Sequence, residues 1–181
     1  MAMIYGDGIR LRAIDRSDIP TFLKWFNDPE VTRGLSTIFP MSEASEDIWF
    51  DNMLKRPIES RPLGIEIQID DEWKIIGNLG FFDFDKIAHS AQIGIVIGEK
   101  QYWGKGYGTK ALALVFQHGF GTLNLNRIFL QVYALNERAI RVYNKVGFVL
   151  EGTMRDAVYR DGKYYDIHIM SILRKEWNTA D

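Results

Sequence analysis

Across residues 63–70, Ile65, Ile67 and Ile69 alternate with Glu66, Gln68 and Asp70, a period of two that predicts a strand with one face buried. The "DDE" that follows reads as a turn, and "WKIIGNLGFFDFD" as the returning partner strand. "SAQIGIVIG" (90–98) is more apolar and predicts a more deeply buried third strand. Upstream, "IRLRAI" (9–14) alternates well enough for a strand. A helix is expected after it, capped by Ser17 or Asp18, with Pro20 in its first turn and its end at Asn27-Asp28-Pro29. A second helix is expected over 41–56, capped by Ser42, facing inward with Ile48, Trp49, Met53 and Leu54, and stopped by Pro57.

The pattern changes after residue 98. Leu112, Val115, Phe116 and Gly119 form one face of a helix predicted over 106–121, and "NRIFLQVYA" (126–134) is a strand. A helix over 136–148 has clear boundaries. Asn136 suits the N-cap, Leu135 and Ile140 are spaced as a hydrophobic staple, and Gly147 suits the left-handed position past the end. Two strands joined at Asp161-Gly162, a type I′ turn pair, close the chain. The order is strand, two helices, a three-strand meander, helix, strand, helix and hairpin. This is an α/β fold with a mixed sheet. No linker or repeat interrupts it, so residues 1–181 read as a single domain.

Composition narrows the function. Apolar residues make up 46% and charged residues 25%, with a net charge of −2. That balance carries no general electrostatic footprint for nucleic acid or anionic membrane. No run approaches a membrane span, and the start lacks a signal-peptide h-region, so a cytoplasmic location is expected. The chain has no cysteine, which excludes disulfides, thiolate metal sites and a cysteine nucleophile; no metal site is expected.

The chemistry concentrates in "YWGKGYGTKALALVFQHGF" (102–120). Gly104, Gly106 and Gly108 sit where a helix begins, although glycine is a poor helix former. Two readings are open. The loop is a flexible strand-to-helix connection, or the bare backbone lets a phosphate approach the unpaired amides of a helix N-terminus. A Walker A loop does not fit, because Tyr107 follows Gly106 where the spacing needs Lys. The dinucleotide fingerprint does not fit either, because Thr109 stands where its last glycine belongs.

Residues 103 to 108 resemble the Q/R-x-x-G-x-G/A loop of the GCN5-related N-acetyltransferases. "LNERAIRVYNKVGFVLEGTMRDAVYRDGKYYD" (135–166) is similar to the carboxy-terminal half of the branch containing ribosomal-protein N-terminal acetyltransferases and spermidine acetyltransferases. The resemblance runs from about Ile9 to Trp177. It implies a partly split, mostly antiparallel mixed sheet flanked by helices, and acetyl-coenzyme A as co-substrate. It implies that the amides of Gly104, Lys105, Gly106, Tyr107, Gly108 and Thr109 bind the pyrophosphate. Trp103 departs from the usual Gln or Arg. Ile95, Val96 and Ile97 match the strand that pairs with the pantetheine arm, Asn136 matches a residue that contacts that arm, and Tyr143 matches the acid that protonates the leaving thiolate. By pattern alone, Asn136 is an N-cap and Tyr143 a core aromatic on the face of Ala139 and Val146.

No general base stands out. Many family members carry a glutamate on the strand matching 90–98; here the nearby residue is Gln92, which cannot accept a proton at neutral pH. Asp83, Asp85, His89 and His168 are the other candidates. The resemblance points to a primary amine as acceptor, a protein N-terminus ahead of a polyamine, with an antibiotic or free amino acid also open. The rival readings are an acyl-coenzyme A-binding module without turnover and a nucleotide-binding enzyme that uses the same glycines. The closing hairpin allows pairing between subunits, hence a homodimer.

Overall fold

The computed structural model describes residues 3–177; the ends of the single domain read as 1–181 lie outside the described residues. Eight strands form one sheet in the order β1-β2-β3-β4-β5-β6-β8-β7. They are β1 (Ile4–Gly6), β2 (Ile9–Ala13), β3 (Leu63–Ile69), β4 (Glu72–Asp85), β5 (Ser90–Ile97), β6 (Arg127–Tyr133), β7 (Val149–Arg160) and β8 (Lys163–Leu173). Every neighbouring pair is antiparallel except β5 with β6. The mixed, mostly antiparallel sheet agrees with the expected fold.

Six α-helices complete the order: α1 (Ile19–Phe26), α2 (Pro29–Thr32), α3 (Glu43–Leu54), α4 (Tyr107–Phe116), α5 (Glu137–Lys145) and α6 (Arg174–Trp177). β1 and α2 are additions to the sequence reading. Pro29 ends nothing; it opens α2, whose N-cap Asp28 accepts from the Glu30 amide at 2.9 Å. The expected side-chain cap of α1 is absent. Asp18 instead accepts from Arg12 and from the Asp15 amide. Ser42 does cap α3, but that helix turns Phe50 and Met53 inward, while Ile48 and Leu54 are exposed. The helix predicted over 106–121 is regular only to Phe116 and ends in one wide π-type turn at Gln117–Thr122.

Two apolar clusters result. The larger joins the inner sheet face to α4 and α5 through Ile65, Ile67, Leu112, Val115, Ile128 and Phe148. The smaller packs α1 and α3 around Phe22, Trp25, Phe50 and Met53. The feature that matters for a site is the β5–β6 pairing. It covers only Ser90–Gln92 against Arg127–Phe129. Beyond Gln92, β5 continues beside β4 as far as Ile97 and has no partner on its other edge. The expected split lies there.

Candidate active site

Two cavities flank the split. The first, about 280 Å³, is lined by the outer part of β5, the 103–109 loop, the start of α4 and one face of α5. The second, about 500 Å³, is lined by β4, β5, β6 and the segments around Gly34–Ser36 and Ser60–Pro62. Leu35, Ile95, Val96, Asn136, Ala139 and Tyr143 line both. Two reactants placed in them would meet at Tyr143.

The loop wall is built by backbone conformation. Gly104 and Gly106 have φ of 74° and 84°, where a side chain is strained. Gly108 differs: its φ is ordinary, and an added Cβ would find only Val142 Cγ1, at 3.9 Å. Neither backbone nor packing requires glycine at 108, so the bare position leaves room for something outside the chain. The amide N–H groups from Gly104 to Thr109 have no acceptor among the described residues. A helix N-terminus with free amides suits an anion.

Trp103 is fixed at this wall. Its indole N–H donates to the Ile97 carbonyl at 2.6 Å, tying the loop to the end of β5. The Arg138 guanidinium lies over its ring, 3.5 Å from the centroid. Sequence reasoning missed Arg138, together with Arg141 and Lys145, which line the same cleft. Their i, i+3, i+7 spacing was the available signal. Partial burial holds the Arg138 guanidinium below its ordinary value. Lys105, by contrast, does not line the cleft; its ammonium lies 5.4 Å from the Tyr102 ring centre.

Asn136 Oδ1 accepts from the Ala139 amide at 3.2 Å, so the N-cap reading holds, and the same residue lines both cavities. Tyr143 is 8% exposed and packs edge-on against Phe148. Its hydroxyl has no hydrogen bond among the described residues, and burial pushes its pKa up to about 12. It is therefore both core aromatic and cavity wall, and it stays a phenol at any ordinary pH.

The candidate bases are not brought together. Asp83, Asp85 and His89 are exposed around the turn between β4 and β5. Asp85 accepts from the amides of Ile87 and Ala88. His168 Nδ1 is bonded to Thr153 Oγ1 at 3.0 Å. None of the four lines either cavity; Gln92 lines the second. Among the described residues no cluster of His, Asp or Glu is placed to hold a metal ion, and no helix is long and apolar enough to cross a membrane.

Comparison with known proteins gives this geometry a context. The family profile of the acetyltransferase (GNAT) domain matches residues 9–149. An uncharacterised N-acetyltransferase, p20 of Bacillus licheniformis, is 30% identical over 179 residues, 98% of this chain and 99% of that protein. The spermidine N(1)-acetyltransferase of Vibrio cholerae is 30% identical over 108 residues, 60% of this chain and 62% of that one. The crystal structure of the Vibrio cholerae spermidine N-acetyltransferase with CoA and spermine superposes with a TM-score of 0.87, over 96% of this chain and 99% of that chain. Its 23% identity makes this a likeness of fold.

Proposed function

The chain belongs to the GNAT family of N-acetyltransferases, and from that premise we propose that it transfers an acetyl group from acetyl-coenzyme A to the α-amine of a polypeptide. The carrying observation is Tyr143, a protonated phenol on the wall common to two cavities.

The first cavity suits the co-substrate. The free amides of Gly104–Thr109 and the cations Arg138, Arg141 and Lys145 would hold its phosphates, with the unpaired edge of β5 at Ile95–Ile97 beside its arm. Asn136 keeps its side-chain amide group for a polar contact there. Bound acetyl-coenzyme A supplies the acetyl group as a thioester. The acceptor nitrogen bonds to the acetyl carbon, the C–S bond breaks, and the amine proton leaves to solvent. Tyr143 gives its phenolic proton to the departing sulfur and regains one from water. Its raised pKa makes it a weaker acid than a free phenol, but the same burial raises the thiol's pKa and narrows the gap. A β5 amide is the candidate donor to the oxyanion.

The second cavity favours an α-amine over a polyamine. Its lining includes Asn78, Gln92, Gln131 and Tyr133, and its one charged side chain is Arg56. A polycation would find no carboxylate there, whereas a peptide's carbonyls would find donors. The test is thiol release from acetyl-coenzyme A with and without a free-amine peptide, in wild type and Tyr143→Phe. Peptide-dependent release that falls about 10²-fold or more in the variant supports the reading. Release unchanged by the substitution across pH would remove Tyr143 from the mechanism.

A further inference from the structure

We infer that the protein carries no general base of its own, and that it acetylates amines in proportion to their neutral fraction, taking weakly basic amines ahead of alkylamines. This rests on the transferase reading and adds how the acceptor is chosen.

The observation is the set of ionisable groups around the split. In the acceptor cavity they are Arg56, Tyr133 and Tyr143. In the donor cleft they are Arg138, Arg141 and Lys145, with the phenols Tyr102 and Tyr107. No carboxylate and no imidazole lines either space among the described residues. Gln92 lines the acceptor cavity but cannot take a proton. Asp85 is occupied by two turn amides, and His168 by Thr153. A phenol already assigned to donate a proton cannot also withdraw one at the same stage.

Two consequences follow. The acceptor must shed its proton to water before attack. In addition, the surrounding cations disfavour a second positive charge, so they lower the pKa of any ammonium that enters. An α-amine has a pKa of about 8 and a lysine amine about 10.4. Near neutral pH the neutral fractions then differ by about 200-fold. The greater intrinsic nucleophilicity of the more basic amine offsets part of that ratio.

The experiment compares two peptides of one length. The first offers only its α-amine; the second has a blocked N-terminus and a single lysine. The rate per unit acceptor is measured against pH, with the acetyl group located by mass spectrometry. The expected result is a rising limb for each peptide whose midpoint follows its own amine, the two separated by about two pH units. A common midpoint for both peptides overturns the inference and reveals a base on the protein. A lysine peptide left unmodified even above its amine pKa also overturns it, because selection would then be steric. Transfer to neither peptide at any pH overturns the peptide transferase reading itself, and this inference with it.

Discussion

The guanidinium of Arg138 lies 3.5 Å from the centre of the Trp103 ring. Trp103 in turn bonds the last carbonyl of β5. One residue therefore joins the glycine loop, the splayed strand and a cation of α5. Trp103→Ala removes the ring that orients Arg138 and the bond that anchors the loop. The expected loss of coenzyme A affinity is about 2–30-fold, corresponding to about 0.5–2 kcal/mol, measured by titration calorimetry. An unchanged affinity would mean that neither contact orients the binding wall.

Gly106 and Gly108 separate folding from binding. Gly106 is left-handed, so Gly106→Ala should cost about 1–2 kcal/mol of stability in denaturant unfolding. Gly108→Ala meets no clash within the chain and should leave stability unchanged or raise it by up to about 1 kcal/mol. Yet its methyl group would occupy the space reserved beside the free amides. Coenzyme A affinity is expected to fall more than about tenfold, roughly 1.4 kcal/mol. A Gly108→Ala protein that binds as wild type would contradict the cradle.

A buried ion network ties β2 to β3. Glu66 takes Arg10 Nε at 2.6 Å and Arg12 Nε at 2.7 Å, and Arg12 also holds Asp18 through two bonds of 2.7 and 2.8 Å. Glu66 is 5% exposed. Glu66→Ala leaves two guanidinium groups without that partner in a dry site and should destabilise by about 3–5 kcal/mol. Thermal and urea unfolding of the variant measure this directly.

Much of this frame was legible in the sequence, and the misses have physical causes. Alternation located β3, β4 and β5, and the Asp161-Gly162 turn, with φ of 50° and 79°, located the last hairpin. β1 is three residues long and α2 four, both too short for periodicity to register. The inward face of α3 was misread because a buried carboxylate, Glu46, occupies an inward position that the pattern reads as solvent. Arg138, Arg141 and Lys145 look like an ordinary solvated helix face until the topology sets them opposite the glycine loop. The acceptor cavity joins segments far apart in sequence, from Arg56 to Tyr143. No local pattern encodes that juxtaposition.

Glu46 also gives a pH signature. Its side chain is 2% exposed, Oε1 has no partner among the described residues, and burial raises its pKa. A carboxyl whose folded pKa lies above its unfolded value binds its proton more tightly when folded. Its penalty is thus fully present above the folded pKa and disappears as pH falls below the unfolded one. Glu46→Met should stabilise by about 1–3 kcal/mol at neutral pH, with the gain shrinking toward acid pH. A gain that grows on acidification would reverse this assignment.

The most direct measurement is a competition. Acetyl-coenzyme A, a peptide with a free α-amine and spermidine at equal concentration are incubated with the protein, and the products are weighed by mass spectrometry alongside thiol release. The expected result is acetyl on the peptide α-amine, with one thiol released per acetyl transferred. Acetyl on spermidine with none on the peptide would contradict it, since an acceptor cavity without a carboxylate would then have chosen the polycation.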